Sequence, residues 1–307
     1  MKTNKLYIIA ALTGTVLAAC QQMEIEPQLT EEEPATETVQ TMTLTVEATK
    51  GEATKALSLE GTTLTPYWVA GEKVAVYKDG TKIGTLTATP GSPNTSATLS
   101  GTVTTAGLGV GDTINLIFPG RDDGKWTYLG QDGSAPSEDG NLASLFDYAK
   151  ADVEISTIDT EAGKITIDGT AAFKNQQSVF RFGFKVGGAG DPVKVKSFTV
   201  SAEQDQLATA VSFSDFSSTH GAVSVESAAT VDGNLYYLSL RNDNTATADV
   251  LSFSVIRDSD SALLEGTKNI PVAALGNGKY LTANVSVTQK ALAPAATGTI
   301  SEELEVL

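Results

Sequence analysis

The sequence predicts an all-β protein, and three observations carry that reading. First, apolar and polar residues alternate with period two in stretch after stretch: Met42, Leu44, Val46 and Ala48; Phe180, Phe182, Phe184 and Val186; Leu281, Ala283, Val285 and Val287. Such alternation gives a strand one buried and one wet face. Second, turn signals such as Asp79-Gly80, Pro90-Gly91 and Gly109–Gly111 separate these stretches at short intervals. Third, no ten-residue run before residue 140 sustains helical periodicity. Regular punctuation of this kind favours an antiparallel sandwich or barrel over alternating strands and helices.

Taken in order, the chain begins with Lys2 and Lys5, an apolar stretch Leu6–Ala19, and Cys20. The stretch is shorter than the roughly 20 residues a membrane span needs, so it reads as an export signal. Its close, Val16-Leu17-Ala18-Ala19-Cys20, resembles a bacterial lipoprotein precursor, in which the cysteine becomes the acylated first mature residue. That resemblance implies lipidation at Cys20, with signal peptide 1–20. Cys20 is the only cysteine, so the chain can form no internal disulfide and an exported fold must rest on its core. The other reading, an incidental cysteine in an ordinary secretory signal, leaves that sulfur without a use.

Residues 21–40 carry Glu24, Glu26, Glu31, Glu32, Glu33 and Glu37 and no basic residue, the pattern of a solvated tether. Period two starts at Met42, marking a first strand over 41–49. The segment Glu52-Ala53-Thr54-Lys55-Ala56 after it is small and polar, open to a protease if exposed. Strands are then predicted at Lys73–Tyr77, Lys82–Ala88, Ala97–Val103 and Thr113–Phe118. A long irregular stretch follows Phe118, with Trp126, Tyr128 and Leu129 placed to pin it onto the core. Leu142, Leu145, Phe146 and Ala149 are spaced as on a short amphipathic helix over Asn141–Ala151. Ile165 and Ile167 mark one more strand.

A chain of 307 residues exceeds one typical domain, and a boundary near 165–175 divides it into β domains 41–170 and 171–290. The second domain opens on Val179–Val186, whose phenylalanines form a core stripe rather than a ligand platform. Strands are expected at Val193–Val200, Leu207–Phe213, Leu235–Leu240, Val250–Ile256 and Tyr280–Thr288. Residues 291–307 form a linker, Ala291 to Gly298, and a tail in which Ile300, Leu304 and Val306 share strand parity. Such a tail can close its own sheet or add to a neighbour's edge.

The chemistry-bearing residues are few. Apolar residues make up 41% and charged residues 19%, with a formal charge of −16. No basic run exceeds Val193-Lys194-Val195-Lys196, which argues against nucleic acid and against direct binding to an anionic membrane surface. His220 is the single histidine and lies in a turn-like stretch, so a histidine-assisted triad has one candidate base. Cys20 and His220 are the entire supply of cysteine and histidine for a zinc cluster. Asp122, Asp123, Asp132, Glu138 and Asp139 form acidic loops that read as solvated; their spacing does not fit the twelve-residue calcium loop, and a glycosidase pair is a matter of spatial separation. Gly107–Gly111 lacks the spacing of a phosphate loop and reads as a turn before a strand. Catalytic, cofactor-binding and metal-binding assignments are therefore none. Trp126 and Tyr128 are the aromatics a carbohydrate-binding surface lipoprotein would use.

Three phrases carry a family resemblance: Trp68-Val69-Ala70-Gly71-Glu72-Lys73-Val74-Ala75-Val76-Tyr77, Asn175-Gln176-Gln177-Ser178-Val179-Phe180-Arg181-Phe182, and Gly278-Lys279-Tyr280-Leu281. In this order over roughly 42–290, behind the lipoprotein start, they resemble the fimbrillin-like proteins of Bacteroidales, the major-subunit and Mfa1-like group of the type V pilus. The resemblance implies two tandem transthyretin-like Greek-key β-sandwich domains. It also implies a cell-surface, outer-membrane-attached precursor whose N-terminal segment a trypsin-like protease removes. Lys55 and Ala56 then flank the cut, although arginine is usual at the first position. Removal of the strand 41–49 leaves a groove that another subunit's strand fills, and Ile300, Leu304 and Val306 form the candidate donor strand. Expected partners are other fimbrial subunits in a homo- or hetero-polymer, the processing protease, and a host protein or glycan. The implied role is a non-enzymatic fimbrial subunit supporting adhesion, with a tip or anchor adhesin as the alternative.

Overall fold

Ten consecutive residues with threonine, valine and leucine in alternation open the ordered chain as strand β1 (Thr41–Lys50), whose odd positions face out and whose even positions face in. The structure, a computed structural model, describes residues 40–290 apart from 51–57, 61–62, 137–141, 143–144, 188–189, 191, 227, 229–233, 244–247 and 272–277. After β1 come a small pair, β2 (Ser58–Glu60) and β3 (Thr63–Thr65), then β4 (Lys73–Lys78), β5 (Thr81–Pro90), β6 (Ser96–Thr104), β7 (Thr113–Phe118) and β8 (Lys125–Thr127). The chain continues through β9 (Ala149–Asp159), β10 (Lys164–Ile167), β11 (Ala171–Asn175), β12 (Ser178–Val186), β13 (Val195–Ala202) and β14 (Ala208–Ser212). It closes with β15 (Ser218–His220), β16 (Val223–Val225), β17 (Leu235–Leu240), β18 (Ala248–Arg257), β19 (Leu263–Pro271) and β20 (Tyr280–Gln289). The all-β expectation holds.

The first large sheet runs β10-β1-β11-β9-β7-β4-β5-β6, and β1 also pairs with β6, so the sheet closes on itself as a barrel. Its interior is filled by Leu44, Val46, Val74, Val76, Leu86, Leu99, Ile114, Leu116, Phe118, Ile155, Ile165 and Phe173, all buried. Closure abolishes the unpaired edges an open sheet would present. β5 and β6 approach closely because glycines occupy both strands: a Cβ on Gly101 would lie 2.2 Å from the Thr85 carbonyl oxygen, and one on Gly84 would lie 2.5 Å from that of Thr102.

The second sheet, β16-β13-β18-β19-β20-β12-β17, curls over its own apolar face. Phe180, Phe182 and Phe184 line up inside it, with Phe182 and Phe184 each edge-on to Phe253 at 5.0 and 5.7 Å. The expected core stripe is thus present for the phenylalanines, whereas Val186 at the strand end is 41% exposed. A third sheet, β15-β14-β8, joins the chain's two halves, because β8 pairs with β14 through Trp126 opposite Val211. Ala75, Tyr77 and Ile117 from the barrel's outer face, with Trp126, Tyr128, Phe146 and Tyr148, pack into the second core. Both cores lie within one unit, Val39–Leu307.

Three local expectations are corrected. The helix expected over Asn141–Ala151 reduces to a turn: Leu142 and Leu145 are helical, and the Phe146 N–H donates to the Leu142 carbonyl at 3.0 Å, but Ala149 already begins β9. The run Ala149, Ala151, Val153, Ile155 also has period two, and pairing with β7 on one side and with β10 and β11 on the other gave it more hydrogen bonds than a short helix offers. Leu129 does not pin its loop, being 48% exposed; Trp126 and Tyr128 do. His220 ends a short strand rather than lying in a free loop. Strands β11 and β19 were not anticipated, because Phe173 stands in a short stretch and Gly266 and Pro271 read as breaks.

Replacement Gly101→Ala is expected to destabilise the fold by about 1–3 kcal/mol, since the added methyl meets backbone rather than a movable side chain. Urea unfolding of the purified protein measures this, with Gly163→Ala, where nothing lies near the added carbon, as a control for turn strain alone.

Candidate functional site

The N-terminal strand and its seat form the candidate site. β1 lies antiparallel to β6 over the full run from Thr41 opposite Thr104 to Thr49 opposite Ser96. On its other side it lies parallel to β10 near Leu44 and to β11 near Ala48–Lys50. Further backbone bonds fix its ends: Thr43 N–H to the Gly163 carbonyl at 2.9 Å and Lys50 N–H to that of Thr95 at 3.0 Å. A strand so placed is central, and taking it away would leave two facing edges of unpaired backbone groups.

Its inner row is Met42, Leu44, Val46 and Ala48, each at most 3% exposed. Burial of the first three contributes on the order of 5–8 kcal/mol. The outer row is polar: the Thr98 hydroxyl donates to Glu47 Oε1 at 2.8 Å, and Thr45 Oγ1 meets Ser100 Oγ at 3.2 Å.

The fifth position of the inner row is a lysine. Lys50 is 5% exposed, and its Nζ donates to Glu72 Oε2 at 3.0 Å and to the Tyr67 carbonyl at 2.9 Å. The same ammonium lies 3.9 Å from the Trp68 ring centroid and 4.3 Å from that of Phe118, a favourable position over two negative ring faces. Glu72 also accepts from the Val69 N–H at 3.1 Å, and its side chain is 11% exposed. Trp68 in turn meets Phe118 and Phe173 edge-on at 5.5 and 5.4 Å. The strand end is therefore held by a charge enclosed in aromatic rings. Sequence reasoning passed over this pair, although its signal was present: Lys50 continues the apolar parity of Met42 through Ala48.

The remaining expected site residues fall elsewhere. Cys20, Lys55, Ala56, Ile300, Leu304 and Val306 lie outside the described residues, as do Glu138 and Asp139. Asp122 pairs with Lys82, whose hydrogen bond holds its carboxyl below the ordinary range. Asp123 pairs with Arg121 at 3.2 Å, and Asp132 accepts from the Ser134 N–H at 2.9 Å. Each acid is thus engaged separately, and among the described residues no group of three or more His, Cys, Asp or Glu side chains is placed to hold a metal ion. His220 Nε2 is 3.1 Å from Asp243 Oδ2, and Arg241 Nε donates to Oδ1 at 2.7 Å. Burial pushes the Asp243 carboxyl up, but hydrogen bonds from Ser218, Arg241 and His220 outweigh it and hold the group below its ordinary value. The turn at Gly107–Gly111 is stabilised by Asp112, which accepts from the Gly109 N–H at 2.8 Å just before β7.

Trp126 and Tyr128 are fully buried. Trp126 stacks on Tyr148 at 5.5 Å, and burial pushes the Tyr128 hydroxyl well above its ordinary range. These rings are core, in keeping with the expectation that they pin the loop, and they offer no exposed platform for the alternative of a carbohydrate-binding surface lipoprotein.

The sequence matches no protein-family model and no curated protein. Among solved structures, it is similar to a candidate cell adhesion protein of Bacteroides uniformis at 16% identity, over 81% of this chain and 96% of that one, with a TM-score of 0.41. It is also similar to a fimbrial protein of Bacteroides ovatus, 13% identical over 80% of this chain and 48% of that one, TM-score 0.33. A third is the tip fimbrial protein Mfa3 of Porphyromonas gingivalis, 9% identical over 75% and 81% of the two chains, TM-score 0.35.

Lys50→Met is expected to destabilise the protein by about 3–5 kcal/mol, because it leaves Glu72 charged against an apolar wall, and Lys50→Met with Glu72→Gln should recover much of the loss. Denaturant unfolding of the three proteins measures this. In the same protein, brief trypsin treatment is expected to spare the bond after Lys50, whose strand is paired on both sides; mass spectrometry of the fragments reads the outcome.

Proposed function

We propose that this chain is a non-enzymatic subunit of a cell-surface adhesive fibre, exported as a lipoprotein through Cys20 and assembled by exchange of its first strand. The observation that carries the reading is the placement of β1, the first described strand: it closes the barrel alone, between β6 on one side and β10 with β11 on the other. Lys55, the candidate processing position, follows the last residue of β1 by five positions. A cut there severs β1 from the body of the chain while leaving it seated by its ladders, its apolar row and Lys50. A competing strand then has a preformed seat to enter, with an apolar floor and two backbone edges.

The resemblance of the three sequence phrases to fimbrillin-like proteins supports the same reading, as does the export signal. On it, the two β domains are transthyretin-like units, the first extending through β11 to Asn175 rather than ending at 170, and Ile300, Leu304 and Val306 belong to a strand donated to a neighbouring subunit. A tip or anchor adhesin uses the same seat without needing to donate onward.

Surface-purified protein is expected to begin at Ala56, read by N-terminal mass spectrometry. Deletion of residues 299–307 is expected to leave folded monomer but abolish high-mass ladders on gels of the cell surface. Ladders of normal length from the deleted chain would remove the tail from the assembly, and a mature N-terminus at acylated Cys20 alone would make the chain a permanent anchor.

A further inference from the structure

We infer that the seat of β1 selects an incoming strand that carries a lysine or arginine at the register position of Lys50, and that this chain's own C-terminal tail is therefore not its occupant. The inference rests on the strand-exchange reading and names the partner: a different subunit with a basic donor strand.

The argument starts from what leaves with β1. Lys50 sits opposite Phe173 of β11, with its ammonium 3.0 Å from Glu72 Oε2 and over the Trp68 and Phe118 rings. Glu72, Trp68 and Phe118 all belong to the part of the chain that stays. When β1 departs, the carboxylate remains against the aromatic wall, with the Val69 N–H as a partner on its own turn. A replacement strand covers that carboxylate again and must neutralise it, because a covered and unpaired charge is far more costly than a paired one.

Residues 291–307 cannot supply this. They contain neither lysine nor arginine and include Glu302, Glu303 and Glu305. Whichever way the tail runs, the strand parity of Ile300, Leu304 and Val306 also includes Glu302. Seating all three aliphatics in the inner row therefore sets a carboxylate among positions filled in β1 by Met42, Leu44, Val46 and Ala48. The other parity offers Glu303 and Glu305, which is worse. The tail thus brings negative charge and no cation to a seat in which the Glu72 carboxylate is enclosed. It suits a different seat, one that offers cations, so donor and acceptor ends of this chain face different neighbours in a hetero-polymer.

The test uses the full chain cut after Lys55 and follows replacement of β1 by synthetic peptides, read by native mass spectrometry. The peptides are residues 41–50, the same peptide with Lys50→Met, and residues 298–307. The 41–50 peptide is expected to exchange in and to be preferred by roughly 100-fold or more over each of the others. In a chain with Glu72→Gln the preference for lysine over methionine should largely vanish. A second chain with Lys50→Glu and Glu72→Lys provides a reading independent of that variant's folding: after cutting, it should prefer a 41–50 peptide with Lys50→Glu over the natural one. Equal entry of the 298–307 peptide, or self-polymerisation of the cut chain through its tail, overturns the inference while leaving strand exchange standing. Failure of the natural 41–50 peptide to exchange at all overturns strand exchange and the inference together.

Discussion

One strand completes the barrel, and the rest of the first half is arranged around the need to seat it. β1 satisfies the backbone of β6 along one flank and of β10 and β11 along the other, while its inner row fills the space between Leu99, Ile155 and Ile165. Backbone groups buried without partners cost more than the bonds gain, so the barrel depends on this strand for the pairing of both flanking edges. The same logic makes β1 a central element of the first half, tied to three other strands.

The contact that sets the seat of β1 apart from an ordinary apolar groove is ionic. Aliphatic side chains interchange in a barrel at modest cost, so a row of Met, Leu, Val and Ala alone would accept many strands. An enclosed Lys50–Glu72 pair is different, because each partner makes the other's burial tolerable. Trp68 serves both ends of this device: its ring face meets the ammonium, and its edge contacts with Phe118 and Phe173 tie the pair to β7 and β11.

The second half is bound to the first by side chains that cross between them. Trp126 and Tyr148 stack inside the second core, although both come from the excursion that leaves the barrel after β7 and returns in β9. The barrel's own outer face adds Ala75, Tyr77 and Ile117. Gln131, buried in that excursion, extends the union to the sheet edge: its side-chain amide donates to the Ser239 carbonyl at 2.8 Å and its oxygen accepts from the Ser239 N–H at 2.7 Å, so it pairs with β17 as a neighbouring strand would. The backbone of Ser239 on that edge is thereby satisfied within the chain.

Much of the β content was legible because period two and glycine turns are local signals. Thr113–Phe118 and Leu235–Leu240 were readable residue for residue, and the parity of β1 was plain from Met42 onward. β9 shows why local reading fails: Leu142, Leu145, Phe146 and Ala149 mimic a helix, and only pairing with β7, β10 and β11 decides that Ala149 is extended. Trp126 and Tyr128 were legible as rings that pin the long stretch after Phe118, but what they pin it to, β14 and the second core, lies far away in sequence. Lys50 belonged to an apolar parity in the sequence, but its partner Glu72 lies in a turn 22 residues on. By itself the sequence determined a β-rich, acidic chain with a distinct first strand, since composition and alternation are properties of neighbours. The closed barrel, the shared aromatic core and the enclosed ion pair were decided only by the tertiary structure, because each depends on groups brought together from distant strands and removed from water at the same time.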